Sequence, residues 1–298
     1  MYIVDRKKID AVYKGFRKLF DSIRLEVGDE DIVRAVAYER QTPDFNTDFV
    51  FTTRLAPGMK PQEGEFDVDK MKIKTVNVRT KRWFDAIQMM RDDLEDFDRL
   101  NLYRPQIRRL AESYRDHRAE LVASTLEDGW ATNGFDGVPL FSNSHPLENG
   151  TNDNLVDAGG TGLTEAVVEQ ALVQLSRMKD DSGKLIGLRG TDIIVPPELE
   201  FDARKIVNAT LTGGGNTNVF AGRLNVITSP YLTAANRAYV MDSRSAIAKP
   251  VFLAVVQPPR LELDDTRAVL NDLLLWVVKA KYNTALGLYH YVVGIDNI

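Results

Sequence analysis

The chain has 298 residues, of which 44% are hydrophobic and 27% are charged, and its formal net charge is −5. This ordinary globular composition leaves room for two modest domains or one elongated body, and the net negative charge excludes a protein that binds nucleic acid over its whole surface. The absence of cysteine excludes disulfides, thiolate zinc sites and cysteine nucleophiles.

Residues 7–24 predict an amphipathic helix, with aromatic and aliphatic side chains on one face and basic side chains around the rest. Its apolar face could dock on its own domain or on a neighbouring subunit, and a membrane-surface helix is a third alternative. Gly15 weakens the helix, which favours a segment that becomes ordered against a partner. The side chains that would contact a neighbour are Tyr13, Phe16, Leu19 and Phe20.

Residues 46–82 predict a long two-stranded ribbon whose tip is the Pro- and Gly-rich segment 56–64. The apolar positions change parity twice on the return strand, before Met71 and again between Ile73 and Val76, and each change predicts a bulge or bend. An isolated hairpin is marginal in water, so the ribbon must lie on its own chain or on a neighbour's. The ribbon residues expected in such a contact are Phe49, Phe51, Leu55, Pro57, Met59, Phe66 and Met71.

Residues 83–102 begin with strand-like alternation and end in an acidic helical turn. The acids suggest a metal cluster at first, but acids favour a helix start and the segment lacks the spacing and central glycine of a calcium loop. We therefore predict a solvated helix face. The acids concerned are Asp92, Asp93, Glu95, Asp96 and Asp98.

A long helix is predicted over residues 105–128. Pro105 suits the first helical position, because its missing N–H needs no partner there, and Gly129 suits a left-handed residue after the last turn. Apolar residues recur on one side at helical spacing, while charged residues such as Arg118 are predicted to stay in water. A rod with one apolar side must lie across a flat surface, so we expect a sheet behind it.

The segment 132–162 has the composition of a loop, and we interpret His145 within it as an ordinary loop histidine without a catalytic role. Thr164 is predicted to cap a helix, and Ile193 to Val195 to form a short buried strand. The glycine-rich loop at 212–216 matches neither a phosphate-binding loop nor a dinucleotide fingerprint.

Further strands are predicted towards the end of the chain, at 224–228, 238–241, 251–256, 261–263, 273–282 and 288–293. The run from Leu273 to Val278 is apolar at both parities, which predicts a strand covered on both faces. The long helix is the natural cover for one face.

The chain lacks the spacings that carry enzyme chemistry. The three histidines, at 117, 145 and 290, lie far apart and have no partner at metal-ligand spacing, and there is no G-x-S-x-G or H-E-x-x-H motif. No apolar run approaches the roughly 20 residues of a membrane span, and no secretory signal is present. We therefore expect a soluble protein made in the cytoplasm, with no catalytic residue, cofactor or metal and no membrane partner.

Several segments, in order along the chain, resemble one family. They are YKGFRKLFDS (13–22), LAPGMKPQEGE (55–65), RDDLEDFDRLNLY (91–103), FDGVPLFSNSHP (135–146), DIIVPPELEFDARKIVN (192–208), GGNTNVFAGRLNVITSPYL (214–232), AYVMDS (238–243) and KAKYNTALGLYHYVVG (279–294). Each motif alone is weak, but their collinear order over most of the chain is specific. The chain is similar to the Mu-like major head (capsid) proteins of tailed phages, which have the HK97 fold.

The resemblance implies an α+β fold, the HK97-like major capsid fold. Its parts would be an N-terminal arm at 1–45, an extended E-loop hairpin at 46–82, a P-domain at 83–162, an A-domain at 163–245 and a return to the P-domain strands at 246–298. The P-domain would carry the long spine helix 105–128 on long antiparallel strands. The A-domain would have a central sheet flanked by helices, and Gly213, Gly214 and Gly215 would form a loop toward the capsomer axis.

The resemblance also implies the function. The chain would assemble with itself into hexamers and pentamers that form the icosahedral or prolate head of a tailed bacteriophage or a prophage-derived particle. Portal, scaffolding and decoration proteins would be partners, with packaged double-stranded DNA held non-specifically on the inner face. The protein would be assembled in the bacterial cytoplasm and reside in the virion. The alternatives are another phage structural protein, such as a tail tube or head decoration protein, and a soluble enzyme.

Some members of the family crosslink an E-loop lysine to a P-domain asparagine. No motif in this sequence fixes such a pair, and we expect no crosslink. The lysines in the ribbon are Lys60, Lys70, Lys72 and Lys74, and the asparagines near the C-terminal strands are Asn271 and Asn283.

Overall fold

The computed structural model describes residues 6–55, 72–94, 97–209, 221–264 and 273–298. The helices of this part are α1 (Arg6–Val27), α2 (Asp31–Val36), α3 (Phe97–Asp128), α4 (Glu165–Ser176) and α5 (Glu200–Asn208). Its strands are β1 (Ala37–Gln41), β2 (Asn46–Thr52), β3 (Ile73–Arg79), β4 (Lys81–Met90), β5 (His145–Pro146), β6 (Thr151–Asn152), β7 (Leu155–Asp157), β8 (Asp192–Val195), β9 (Asn225–Thr228), β10 (Ala238–Met241), β11 (Val251–Asp264), β12 (Leu273–Leu286) and β13 (Val292–Asp296). Short 3-10 turns occupy Arg91–Leu94, Pro197–Leu199 and Tyr289–Tyr291.

Two strands of 14 residues, β11 and β12, form the centre of a four-stranded sheet in the order β1-β11-β12-β4. The pairs β11–β12 and β12–β4 are antiparallel, and β1 is parallel to β11. The predicted strands 251–256 and 261–263 are therefore parts of one strand. Its register shifts between Val255 and Arg260, around two prolines that have no N–H to donate to the ladder.

Helices α1 and α3 lie together on one face of this sheet. Trp276 of β12 is fully buried there, in one hydrophobic cluster with Phe16 of α1 and with Ile107 and Leu110 of α3. The ring centroids of Trp276 and Phe16 are 5.0 Å apart in an edge-on arrangement. Burial of such side chains contributes about 1.5–3 kcal/mol each. The predictions of an N-terminal amphipathic helix and of a long helix backed by a sheet are confirmed.

The start of the long helix differs from the prediction. α3 begins at Phe97 and continues through Pro105, which the sequence placed at the first helical position. An interior proline costs about 3 kcal/mol, and hydrogen bonds to Asp93 oppose that cost. The Asp93 carboxylate accepts from Arg99 Nη1 at 2.8 Å and from the Tyr103 hydroxyl at 2.6 Å. Asp93 is therefore buried and not solvated as predicted, and the hydrogen bonds from Tyr103 and Arg99 lower its pKa.

Arg118 of α3, predicted to stay in water, is also buried, and its side chain is only 6% exposed. Its Nη1 lies 2.8 Å from Asp29 Oδ1, and its Nη2 lies 2.5 Å from Glu39 Oε2. Asp29 precedes α2 and Glu39 lies in β1, so one guanidinium ties α3 to the connection between α1 and the sheet. The planar fork of arginine can hold two carboxylates at once, which the point charge of lysine does less well.

Gly129 follows α3 but does not adopt the predicted left-handed conformation. A Cβ at this position would lie 3.0 Å from the Leu140 side chain and 2.9 Å from the Leu126 carbonyl oxygen. The glycine is thus required by close packing of the following loop against the end of the helix, and not by its backbone angle.

A five-stranded sheet in the order β7-β13-β10-β8-β9 forms the second layer of the fold. Helix α4 packs on it, and the predicted cap is confirmed, because the Thr164 hydroxyl accepts from Val167 N–H at 3.4 Å. The prediction that residues 246–298 return to the long-stranded sheet is wrong for β13. That strand pairs antiparallel with β10 and parallel with β7, so the chain leaves the first sheet after β12 and ends in the second.

The ribbon is present as the hairpin β2–β3. Its register runs without interruption from the pair Asn46–Arg79 to the pair Thr52–Ile73. The bulge predicted between Ile73 and Val76 is therefore absent from this paired region. Ile73 instead lies on the outward face of the hairpin with 63% exposure. Its place in the alternating pattern therefore does not indicate contact with the core of its own chain. The other predicted parity change, before Met71, lies outside the described residues.

Gly294 in β13 provides a test of the packing between the five-stranded sheet and the segment that follows α3. A Cβ there would lie 2.7 Å from Phe141 and 2.9 Å from Trp130, so Gly294→Ala should lower the free energy of unfolding by about 1–3 kcal/mol. Gly15→Ala is the matched control, because a Cβ in that helical position meets nothing within 4 Å and should leave stability equal or up to about 1 kcal/mol higher. Denaturant unfolding of isolated subunits measures both. Equal effects of the two substitutions would contradict this account.

Candidate subunit-interaction surfaces

The described residues contain no group of three or more histidine, aspartate or glutamate side chains that could hold a metal ion. None of the helices in the described ranges has an apolar stretch long enough to cross a membrane. The features that call for a functional explanation are instead apolar surfaces and one buried polar cluster.

One face of the long-stranded sheet is only partly covered. The strand β12 was predicted to be covered on both faces, but Leu275 and Val277 opposite the helices are only half-buried, and Phe84 and Met90 on β4 are 79% and 61% exposed. The pairing of β12 with β4 places these side chains on one surface. We call it the open sheet face; its apolar members are Phe84, Ala86, Met90, Leu273, Leu275 and Val277, and the polar side chains of Gln88 and Lys279 lie among them.

The hairpin covers the remaining part of that face. Phe49 is 3% exposed, and its ring stacks on Phe252 of β11 with centroids 4.7 Å apart and an interplanar angle of 4°. Phe51 packs edge-on against Phe135 at 5.1 Å. The opposite side of the hairpin, with Val50 and Ile73, is exposed. One hairpin face is thus anchored in its own chain and the other is open.

Ion pairs hold the end of the hairpin formed by Arg54 and Lys72. Lys72 Nζ lies 2.5 Å from Glu148 Oε1, and Arg54 Nη2 lies 3.7 Å from the same oxygen. The hydrogen bond and charge of Lys72 lower the pKa of Glu148. The N–H of Asp181 donates to the Thr53 carbonyl at 3.4 Å. The segment around Glu148 is therefore the support on which the hairpin rests.

The arm residues lie on their own chain. Phe16 and Phe20 are buried in the cluster around Trp276, and the Tyr13 ring stacks on Trp276 at 6.1 Å while its hydroxyl donates to the Leu261 carbonyl. Leu19 is partly buried in the same cluster. Of the alternatives for this helix, docking on its own domain is what the structure contains. Contact of these residues with a neighbour stays a prediction.

Several predicted residues lie outside the described ranges and have no structural placement. These are Pro57, Met59, Phe66, Met71, Gly213, Gly214, Gly215, Lys60, Lys70 and Asn271. Leu55 is partly buried against its own core. Asn283 lies in β12, where its side-chain amide donates to the Arg79 carbonyl at 2.8 Å and so has a structural partner.

His145, interpreted from the sequence as an ordinary loop histidine, is fully buried. Its Nδ1 lies 2.5 Å from Asp136 Oδ2, its Nε2 lies 3.1 Å from Asn154 Oδ1, and its ring stacks on Tyr289 at 3.6 Å. The Tyr289 ring also stacks on the ring of His290, with centroids 3.9 Å apart, and we call these three rings the column. No periodic pattern marks a polar loop that folds into a core, so this cluster could not be predicted from the sequence.

Comparisons with known proteins agree on one family. The profile described as phage capsid protein matches residues 73–293, which is more than half of the chain. The major capsid protein of Escherichia phage Mu is 22% identical and is aligned over 59% of this chain and 83% of that protein.

Similar folds occur in solved particles. The procapsid of bacteriophage JBD30 has a chain with a TM-score of 0.60 and 16% identity, over 98% of this chain and 76% of that one. The capsid of Ralstonia phage GP4 gives a TM-score of 0.59 and 14% identity over 90% of each chain. The virus-like particle from Pyrococcus furiosus gives 0.54 and 10%, over 95% and 98%. The HK97-like α+β fold implied by the sequence resemblance is confirmed, and the chain belongs to the phage capsid protein family.

Proposed function

We propose that this chain is the major capsid protein of a tailed bacteriophage or prophage-derived particle, and that it assembles into hexamers and pentamers of an icosahedral or prolate head. The observation that carries the proposal is the open sheet face, where large apolar side chains of β4 are exposed beside half-buried apolar side chains of β12. Contiguous apolar surface of this kind marks a site of protein association. The role is structural and not catalytic, and family membership supports it.

We assign the four-stranded sheet and α3 to the P-domain, with α3 as its spine helix. The five-stranded sheet with α4 and α5 corresponds to the A-domain, and the hairpin β2–β3 to the base of the E-loop. The arm then includes α1 and α2, which pack on α3.

Assembly would join two of the apolar surfaces that the described part of a single subunit leaves exposed. The outward hairpin face carries Val50 and Ile73, and the open sheet face with Phe84 and Met90 offers an apolar partner. Each such side chain gains about 1.5–3 kcal/mol when fully buried. A shell repeats the contact in every subunit, so modest pairwise affinity becomes strong through multivalency.

The proposed surroundings of the protein follow from that role. It is made in the host cytoplasm and resides in the head shell, with portal and scaffolding proteins and, in decorated heads, a decoration protein as partners. Double-stranded DNA would lie on the inner face. A tail tube or head decoration protein is the alternative within phage structural proteins. Electron microscopy of the overexpressed chain separates shells from tubes and from single particles.

Deletion of residues 56–64 tests the role of the ribbon tip. The tip lies beyond the anchored base of the hairpin, so its removal should leave a soluble, folded subunit that forms no shells. Circular dichroism checks the fold and electron microscopy counts particles. Shells of normal size and yield from the deletion variant would refute an essential role of the tip.

Phe84→Ser tests the open sheet face. Because this side chain is largely exposed in the subunit, the substitution should change the unfolding free energy by less than about 0.5 kcal/mol. It should nevertheless raise the protein concentration needed for shell formation roughly tenfold, since an apolar side chain would no longer be buried between subunits. Light scattering across a concentration series measures this threshold.

Gln88→Ser is the control for Phe84→Ser. Gln88 lies on the same strand and the same sheet face but is polar and exposed, so its truncation should leave the assembly threshold unchanged. Equal thresholds for the Phe84 variant and the wild-type protein would remove the open sheet face from the account of assembly.

The basic flank of α1 tests the DNA-facing role of the arm. Lys14 and Arg17 are exposed while Phe20 on the same helix is buried. If they meet duplex phosphates, Lys14→Gln with Arg17→Gln should reduce the slope of log K against log salt concentration by about 2 in full-length protein. Lys205→Gln, an exposed lysine in α5, serves as the control and should leave the slope unchanged. A wild-type protein without any salt slope would dispose of this role.

A further inference from the structure

The hydrogen-bond partners of His145 define how many protons its ring carries. Nδ1 faces the carboxyl of Asp136 at 2.5 Å, and Nε2 faces the side-chain oxygen of Asn154 at 3.1 Å. The amide of Asn154 cannot be turned around, because its Nδ2 donates to the Leu140 carbonyl at 2.7 Å and its Oδ1 accepts from Ser142 N–H at 2.9 Å. Both ring nitrogens therefore face acceptors, and both must donate.

The shared proton resides on the ring and not on the carboxyl group. The flat stack of His145 on Tyr289, at 3.6 Å and 4°, favours a cationic ring through the negative face of the phenol. The pair is thus an imidazolium and a carboxylate with no net charge, and the Asp136 side chain is only 8% exposed.

His290 behaves in the opposite way, although it belongs to the same stack. Both of its ring nitrogens are buried and have no hydrogen-bond partner among the described residues. Burial, assisted by the charge of His145 and opposed by Asp136 and Asp180, lowers the pKa of His290 to about 3. The column therefore holds one charged and one neutral histidine, distinguished by their partners.

The charged pair joins the two segments that support the hairpin. Phe135, next to Asp136 in the chain, packs against Phe51 of β2. Glu148, shortly after His145, bonds Lys72 at the start of β3. A cavity of about 510 Å³ lies between these segments and the hairpin, lined by Asp136, Glu148, Lys72 and Lys74 among others. No strand of either large sheet runs through these supporting segments.

We propose that the buried His145 imidazolium and Asp136 carboxylate form a positioning pair, which fixes residues 135–148 as a platform and thereby sets the direction in which the hairpin leaves the subunit. This rests on the proposed function only in that the hairpin is the limb that reaches a neighbour. Loss of either charge leaves the other buried without its partner, which loosens the platform. The partners of Phe51 and Lys72 on the platform would then no longer be held in a fixed arrangement relative to each other.

The first test is direct observation of the protons. In full-length subunits labelled with ¹⁵N at histidine, both ring nitrogens of His145 should show a one-bond coupling to a proton at neutral pH, whereas His290 should show the pattern of a neutral ring. His145→Gln and His290→Gln assign the signals. A His145 ring with one bare nitrogen in the wild-type protein would overturn the proposal.

The second test measures what the pair positions. In Asp136→Asn and His145→Gln subunits, amide hydrogen exchange in residues 49–54 and 72–76 should rise roughly tenfold or more, while exchange in β11 and β12 stays at the wild-type rate. His117→Gln is the control, because this half-buried histidine bonds Tyr282 under α3 and has no contact with the platform. Unchanged hairpin exchange in either folded variant would overturn the proposal.

The exchange experiment uses unassembled subunits, so its outcome is independent of shell formation. If exchange rises as described while the wild-type chain forms no shells, the positioning pair stands and the proposed function fails. If shells form and exchange is unchanged in the variants, the proposed function stands and the positioning pair fails. Shell assembly by the two variants then reports whether hairpin direction matters: fewer or irregular particles are expected, and normal particles would overturn the importance of the pair for assembly.

Discussion

The structure depends on one pair of long strands that has more apolar surface than a single chain covers. β11 and β12 carry large buried side chains toward α1 and α3, and further apolar residues toward the other face. The helices fill the first face with a closely packed cluster around Trp276. The second face receives the hairpin over one part, through the stack of Phe49 on Phe252, and is left open over the other. The chain therefore buries the apolar side chains on one face of this sheet but leaves part of the other face exposed.

The limbs that assembly would use are tied down at their bases. Arg118 joins α3 to the connection between α1 and β1, and Glu148 joins the hairpin to the platform. Such ties fix the direction of a limb before it meets a neighbour, which lowers the entropy lost on association. The hairpin and the arm need not be disordered in the free subunit to function in a shell, and in the described residues both are packed on their own chain.

Elements with a periodic residue pattern were predicted correctly, whereas features that depend on contacts between distant segments were not. The 3.6-residue pattern of α3, the Thr164 cap and most strands follow from local rules, and they are present. The start of α3 at Phe97 depends on the hydrogen bonds of Asp93, and the lack of a bulge at Ile73 depends on which hairpin face is covered. The burial of Arg118 and His145 depends on carboxylates that approach from other segments. The family resemblance predicted the fold and the role of the chain, but it did not predict this polar cluster.

The unpaired edge of strand β4 has a consequence for subunits that have not yet assembled. In the described sheet order it is a terminal strand of ten residues that pairs only with β12, so the backbone groups along its other edge have no ladder partner, next to the exposed ring of Phe84. Unpaired edges with apolar neighbours invite irregular strand-to-strand aggregation, which Lys81 and Arg82 oppose only at one end. Shell assembly and aggregation thus compete for the same free subunits. The rate of subunit synthesis relative to the rate of shell assembly sets the fraction of subunits that aggregates.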